Sequence, residues 1–273
     1  MGNLYGDAAA LRVCDVTISF GGVTAVRNLS LDLAPGRITS LIGPNGAGKT
    51  TVLNAISGFC SCQSGSIRHE GVELVGQPAW RRPHLGIART FQNLQLFGSL
   101  SVIENVMVGS HVRQRGGLLA STTYWGRERA EQRKATKQAM EQLDLVGLTP
   151  FSRMPAASLP LARQKLVALA RALAASPTLL LLDEPAAGVQ GETLSEVANL
   201  IRSLCDEHRL TVLLVDHHMD LVMRISDRVV VMNQGTLLAE GDPSTIKVHP
   251  DVISVYLGTG SEESNERLEA VEH

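Results

Sequence analysis

Residues 43–50 read GPNGAGKT, a glycine, four residues, then Gly48, Lys49 and Thr50. The composition suits a polyanion: where no Cβ intervenes, backbone N–H groups approach phosphate oxygens, a lysine reaches the outer phosphates, and the following hydroxyl ligates Mg²⁺. Gly43, Pro44, Asn45, Gly46, Ala47, Gly48, Lys49, Thr50 and the next residue, Thr51, therefore form a candidate phosphate cradle, with Lys49 aimed at β- and γ-phosphates and Thr50 at the metal. A second reactive pair, Asp183 and Glu184, ends the apolar run TLLLLDEP. Adjacent carboxylates can divide the work: Asp183 holds magnesium through water while Glu184 polarises an attacking water. Taken singly, the first motif is also a glycine-rich turn and the second a pair of surface acids. Their co-occurrence favours nucleotide chemistry.

Such groups need a strand that delivers them and a helix that receives the anion. ITSLI precedes the loop and TTVLNAISGF follows it, so the loop opens a helix whose N-terminal dipole favours phosphate. Asp183 and Glu184 stand at the carboxyl end of their strand, where open α/β sheets bind ligands. Further β-rich runs occur at 16–20, 37–43, 178–184, 210–216 and 228–241, and helical patterns at 49–58, 159–175 and 192–208. The alternation predicts an α/β core, with the apolar runs at 178–184 and 210–216 buried on both faces of a parallel sheet. VVVMNQGTLLAEG reads as two short strands around a turn supplied by Asn233 and Gly235. Residues 93–165 lack a buried strand; a charged helix with an apolar stripe at 127–146 marks a helical subdomain, and RQRGGLLASTTYWG (113–126) an exposed loop.

The 273 residues are 44% hydrophobic with a formal net charge of −2, enough for a sizeable core and no general match for nucleic acid. Cys14, Cys60, Cys62 and Cys205 lack C-x-x-C spacing, and the N-terminus lacks the order of a secretion signal, so four reduced thiols in a cytosol are expected. No apolar run approaches the roughly 18 to 20 residues that cross a bilayer. The polar, mostly acidic ending GSEESNERLEAVEH is expected to be a mobile tail or weak helix.

With these residues in place, the chain from about 10 to 258 resembles the nucleotide-binding subunit of an ABC transporter. The resemblance implies a P-loop NTPase (RecA-like) α/β core with an antiparallel β subdomain and a helical subdomain. A single ATPase domain would cover 8–245, with the helical subdomain at about 93–165, and a C-terminal extension with the acidic tail would cover 246–273. It implies ATP and Mg²⁺ as ligands. Asp183 and Glu184 match the magnesium aspartate and the catalytic glutamate, and His217 in LLVDHHMD matches the histidine that senses the γ-phosphate. The DHH triplet is also a phosphoesterase motif, but the further His and Asp clusters it needs are missing. His218 receives no role and is expected to be exposed. Gln92 in RTFQN matches a glutamine that contacts Mg²⁺ or water and links the nucleotide to the membrane-facing groove; a surface amide is the alternative. Phe20, ahead of Gly21 and Gly22, matches the adenine-stacking aromatic, and equally fits a core position.

RTFQNLQLFGSLSVIENVMVGSH, the following insertion, DEPAAG and the ending HPDVISVYLG are similar to the ATPases of branched-chain amino acid importers. That implies membrane-spanning permease subunits docked near Gln92, a second related ATPase, an indirect link to a solute-binding protein, no nucleic acid, and a peripheral place on the cytoplasmic face of a membrane. An export ATPase, a nearly inactive ATP-binding subunit and a soluble non-transport ABC ATPase are the competing readings. The segment 159–163, which contacts the opposite subunit's ATP in the family, departs from Leu-Ser-Gly-Gly-Gln and reads LPLAR. Arg163 and Lys165 put two cations at a helix N-terminus, where they need an anion opposite. The partner's γ-phosphate or the acidic surface around it is one candidate, with Arg163 replacing lost hydrogen bonds; a snorkelling surface arginine is the other. Gln190, where that loop usually ends in Asp or Asn, is a second departure and would line the dimer seam.

Overall fold

The computed structural model describes residues 9–90, 95–110, 125–189 and 191–256, and the chain divides into two compact units, Met1–Ala79 with Gln190–His273, and Trp80–Val189. In the first unit, β1 (Leu11–Phe20) pairs antiparallel with β2 (Val23–Leu33) and with β4 (Ser64–His69), which in turn pairs with β5 (Val72–Glu73). Leu11 and Val13, then Val16 and Ile18, turn inward. The inward alternation jumps by three residues across Asp15, which sits at φ 48, and the register with both neighbours shifts there. That bulge keeps apolar side chains on one face.

The second sheet of this unit has the order β10-β9-β3-β8. It is built from β3 (Ile38–Ile42), β8 (Thr211–Val215), β9 (Arg228–Asn233) and β10 (Thr236–Gly241). All five residues of β3 and of β8 are buried, as expected for strands covered on both faces, and β3 runs parallel to β8 and β9. At the β9–β10 hairpin the left-handed residues are Gln234 (φ 46) and Gly235 (φ 79). Asn233, expected to serve the turn, instead ends β9 and accepts from the Thr236 hydroxyl. The helices are α1 (Lys49–Ser57), α5 (Glu192–His208), α6 (Met219–Ile225), α7 (Pro243–Lys247), and α8 at 250–256.

The second unit holds β6 (Ile87–Arg89), parallel to β7 (Leu179–Asp183), and the helices α2 (Val102–Ser110), α3 (Trp125–Leu145) and α4 (Leu161–Leu173). α2 starts on a reciprocal cap: Glu104 accepts from the Ser101 amide at 2.8 Å and from its hydroxyl, and the Ser101 oxygen faces the Glu104 amide at 3.4 Å. Fully buried Asn105 ties down the loop before it, its amide group bonding both backbone groups of Phe97 and the Ser101 carbonyl. The insertion at 113–126 lies outside the described residues except for its last two, which open α3; the acidic tail lies outside them as well.

Candidate nucleotide site

The phosphate loop leaves β3, a strand buried at all five positions, and enters α1. Gly48 caps α1 in a left-handed conformation with no side-chain hydrogen bond, and the first turn carries no acid. The leading N–H groups of the helix therefore remain available to an anion. A Cβ added at Gly46 would meet nothing within 4 Å, so the middle of the loop is open. Thr50 is exposed and Thr51 half-buried. Lys49 is only 5% exposed; its ammonium donates to the carbonyls of Gly43 at 2.7 Å and Pro44 at 2.8 Å. The loop thus carries its cation pre-placed over its own backbone.

β8 carries buried Asp216 and exposed His217 past its end. His218, expected without a role and exposed, is half-buried instead: its Nδ1 lies 2.8 Å from Asp216 Oδ1, and its amide donates to the same oxygen. The carboxylate beside His217 is engaged by His218. Phe20 ends β1 at 52% exposure, which excludes the core position and leaves its ring open to a flat partner.

In the second unit β7 presents Asp183 at its carboxyl end. Asp183 Oδ2 accepts from Arg89 Nη2 at 2.8 Å, the two side chains being 3% and 6% exposed. Asp183 Oδ1 is also buried but has no hydrogen-bond partner among the described residues. A carboxylate with one oxygen neutralised and the other vacant suits a hydrated divalent cation. Glu184 follows at φ 50, a left-handed conformation that costs a non-glycine residue roughly 1 kcal/mol or more. Lys165, from the first turns of α4, spans that corner: its ammonium donates to the carbonyls of Glu184 at 3.1 Å and Ala187 at 2.5 Å. Lys165 therefore finds its negative counterpart in the chain's own carbonyl dipoles, a correction to the expectation that it faces a partner. Pro160 caps α4 without a side-chain bond, and exposed Arg163 places its guanidinium 4.1 Å from the Phe151 ring centroid. Gln92 and Gln190 lie outside the described residues.

Arg89 and Asp216 were not among the residues singled out for the site, whereas Lys165 was, with an anion outside the chain as its expected counterpart. Arg89 had a faint signal, as the cation that opens RTFQN at the end of an apolar run; the carbonyl contacts of Lys165 had none.

The model of the ABC transporter family matches residues 26–187, and that of the branched-chain amino acid ATP-binding cassette transporter family residues 236–262. The high-affinity branched-chain amino acid transport ATP-binding protein BraF of Pseudomonas aeruginosa is 41% identical over 248 residues, 91% of this chain and 97% of its own. LivG of Escherichia coli K12, which carries the same description, is 42% identical over the same shares. Among solved structures, the ADP conformation of MJ1267, an ATP-binding cassette of an ABC transporter, superposes with a TM-score of 0.80 at 29% identity, covering 92% of this chain and 99% of that one. The chain belongs to the ATP-binding cassette ATPases of the ABC transporter family.

Proposed function

We propose that this chain hydrolyses ATP to drive the import of branched-chain amino acids, or of a related small solute, from a peripheral position on the cytoplasmic face of a membrane. The observation that carries the reading is the match over nine-tenths of the chain to two proteins named for that transport. No described helix is long and apolar enough to cross a membrane. The work on the solute therefore falls to permease subunits, docked around Gln92 and the helical region that follows. A solute-binding protein takes part indirectly.

In this reading the single ATPase domain runs over 8–245 and an extension follows from 246. Gly43, Pro44, Asn45, Gly46, Ala47, Gly48, Lys49, Thr50 and Thr51 wrap the phosphates, and Lys49 exchanges its two carbonyl contacts for phosphate oxygens. Phe20 stacks on the adenine. Mg²⁺, when bound, neutralises phosphate charge; the Thr50 hydroxyl and the vacant Asp183 Oδ1 fit it, with Gln92 as the family's third donor. Glu184 accepts the proton of the attacking water, and His217 contacts the outer phosphate. Arg163, exposed at the start of α4, reaches toward a second cassette.

Glu184→Gln is expected to retain ATP binding while turnover falls by roughly 10²- to 10⁴-fold, the contribution of a positioned base. Lys49→Ala is expected to lose binding itself. Equilibrium ATP titration beside steady-state phosphate release separates the two, and normal turnover in the glutamine variant would remove Glu184 from the reaction. The cap at Pro160 supports a second reading, an ATP-holding subunit with almost no turnover of its own; the same phosphate-release assay, with and without a partner, decides it.

A further inference from the structure

The β1–β2 hairpin closes on Gly21 and Gly22, both left-handed at φ 53 and 90, so its last cross-strand pairs are Ser19 with Thr24 and Phe20 with Val23. Phe20 is 52% exposed and Val23 71%, so burial does little to steady this tip. Whatever aims Phe20 must act through the backbone beside it. On the other edge of β1 the third strand starts too late to help: β4 begins at Ser64, which pairs with Thr17, two residues short of Ser19. A two-stranded ribbon left to itself is marginal in water.

Gln63 carries the sheet on past that point. Its backbone amide donates to the Thr17 carbonyl at 2.9 Å, and its exposed side chain then takes both backbone groups of Ser19: the Ser19 N–H donates to Oε1 at 2.7 Å, and Nε2 donates to the Ser19 carbonyl at 2.9 Å. These are the two bonds that an opposing strand residue would make, supplied here by a primary amide, the one side-chain group with a carbonyl acceptor and an N–H donor side by side. Across the hairpin the Ser19 hydroxyl donates to that of Thr24 at 3.1 Å. The residue before Phe20 is thus held at its amide, its carbonyl and its hydroxyl, while Phe20 itself stays open. Gln63 also closes the connection from α1, the helix that opens on the phosphate loop, to β4.

We propose that Gln63 is a positioning residue for the adenine of ATP: its side-chain amide extends the β1–β4 pairing to Ser19 and so holds Phe20 where it stacks on the base. The proposal rests on the reading of Phe20 as the stacking aromatic. It deepens that reading by tying the adenine end of the site to the connection that leaves the phosphate-binding helix.

Gln63→Ala removes both bonds to Ser19 and, at an exposed position, leaves the core intact. Two solvent-exposed neutral hydrogen bonds set the scale, so the variant is expected to bind ATP about 3- to 10-fold more weakly. Inorganic tripolyphosphate, which has the phosphates but no base, is expected to bind it within about twofold of the parent. In the nucleotide-free protein, hydrogen exchange followed by mass spectrometry is expected to speed up in the peptide that contains Ser19 and Phe20. Phe20→Ala is expected to weaken ATP and not tripolyphosphate, and adding Gln63→Ala to it is expected to cost nothing further beyond about twofold, because the two residues serve one contact. Unchanged exchange at Ser19, unchanged ATP affinity in Gln63→Ala, an equal loss of tripolyphosphate, or a full additional loss in the double variant would each overturn the proposal. A Phe20→Ala protein that binds ATP as the parent does would overturn the stacking reading and the proposal with it; a weakened Phe20→Ala beside an unaffected Gln63→Ala overturns the proposal alone.

Discussion

Asp183 and Glu184 are neighbours in sequence held by opposite means. The Asp183 side chain is fixed by the guanidinium of Arg89, 94 residues away, whereas Glu184 is fixed through its backbone by Lys165. A buried ion pair of this kind contributes little net stability, yet removing one partner strands the other charge at a cost of roughly 3–5 kcal/mol. Lys165 allows a gentler test because its half-buried stem can be kept. In Lys165→Met the two carbonyls lose a charged donor, each bond being worth about 1.5–3 kcal/mol, and the corner that holds Glu184 at φ 50 relaxes. Turnover is expected to fall by about tenfold or more, with ATP affinity within about twofold of the parent, since roughly 1.4 kcal/mol of misplacement is one decade. Steady-state hydrolysis and ATP titration measure the two; unchanged turnover would mean that the corner holds itself. The phosphate loop, Asp183 and Glu184 were legible in the sequence because their chemistry is local: glycine, lysine, hydroxyl and acid occur in a short run. Arg89 was not, because it acts across a chain separation that no spacing rule reaches. Lys165 read as a puzzle, two cations at the wrong helix end, and only the folded corner supplied the carbonyls that answer it.

Among the elements, those buried on both faces were the readable ones. β7 and β8 are nearly continuous apolar runs, and β3 interrupts its own only with the buried Thr39 and Ser40, whereas β2 mixes Arg27, Asn28 and Asp32 among its inward residues Val26, Leu29, Leu31 and Leu33, and β6 is three residues long. Pattern alone cannot find a strand whose partners, not its own periodicity, define it. Polar anchors then decide how such elements join. Asp227, between α6 and β9, accepts from the Ile38 amide at 2.8 Å, from Arg37 at 2.9 Å and from Arg202 of α5 at 3.0 Å, uniting two strands and a helix. Burial alone would raise its carboxyl; the Ile38 amide, Arg202 and Arg37 outweigh it and hold the carboxyl below its ordinary value. The sign follows: a depressed acid contributes stability that is present above the unfolded value of about 3.9 and is lost as pH falls through the lower folded value. Asp227→Asn is expected to unfold about 1–3 kcal/mol more easily at neutral pH, and the gap to the parent is expected to shrink below about pH 4. Denaturant titrations at neutral and acid pH check this; a constant gap would show that the carboxylate's charge is not what joins β3 to α5.

At the scale of the whole molecule the chain is uneven. Each unit carries its own share of the proposed nucleotide site: an open phosphate loop and an exposed Phe20 in the first, a vacant carboxylate oxygen on Asp183 in the second. The surface that would meet another cassette is poorly equipped: Pro160 offers neither amide nor hydroxyl at the α4 cap, and Leu161 and Ala162 occupy positions where glycine would let backbone approach phosphate. Arg163 supplies charge there, but over the Phe151 ring it is already partly engaged. A homodimer would place LPLAR against both nucleotides. A heterodimer with a related cassette that retains Leu-Ser-Gly-Gly-Gln would give this chain's loop, Glu184 and His217 one complete site and leave the other weak. Losing one preorganised donor removes about 2.7–4 kcal/mol by analogy with oxyanion donors, so the weak site would turn over a hundredfold or more slowly. Three preparations test this by phosphate release: the chain alone, the chain with its related cassette, and the chain with Pro160→Ser, Leu161→Gly, Ala162→Gly and Arg163→Gln combined. The first is expected to be slow, and the other two to be faster by at least about tenfold. High turnover in the first that the fourfold change does not raise would sink the asymmetric arrangement, and would make Arg163 a working replacement for the hydrogen bonds that LPLAR lacks.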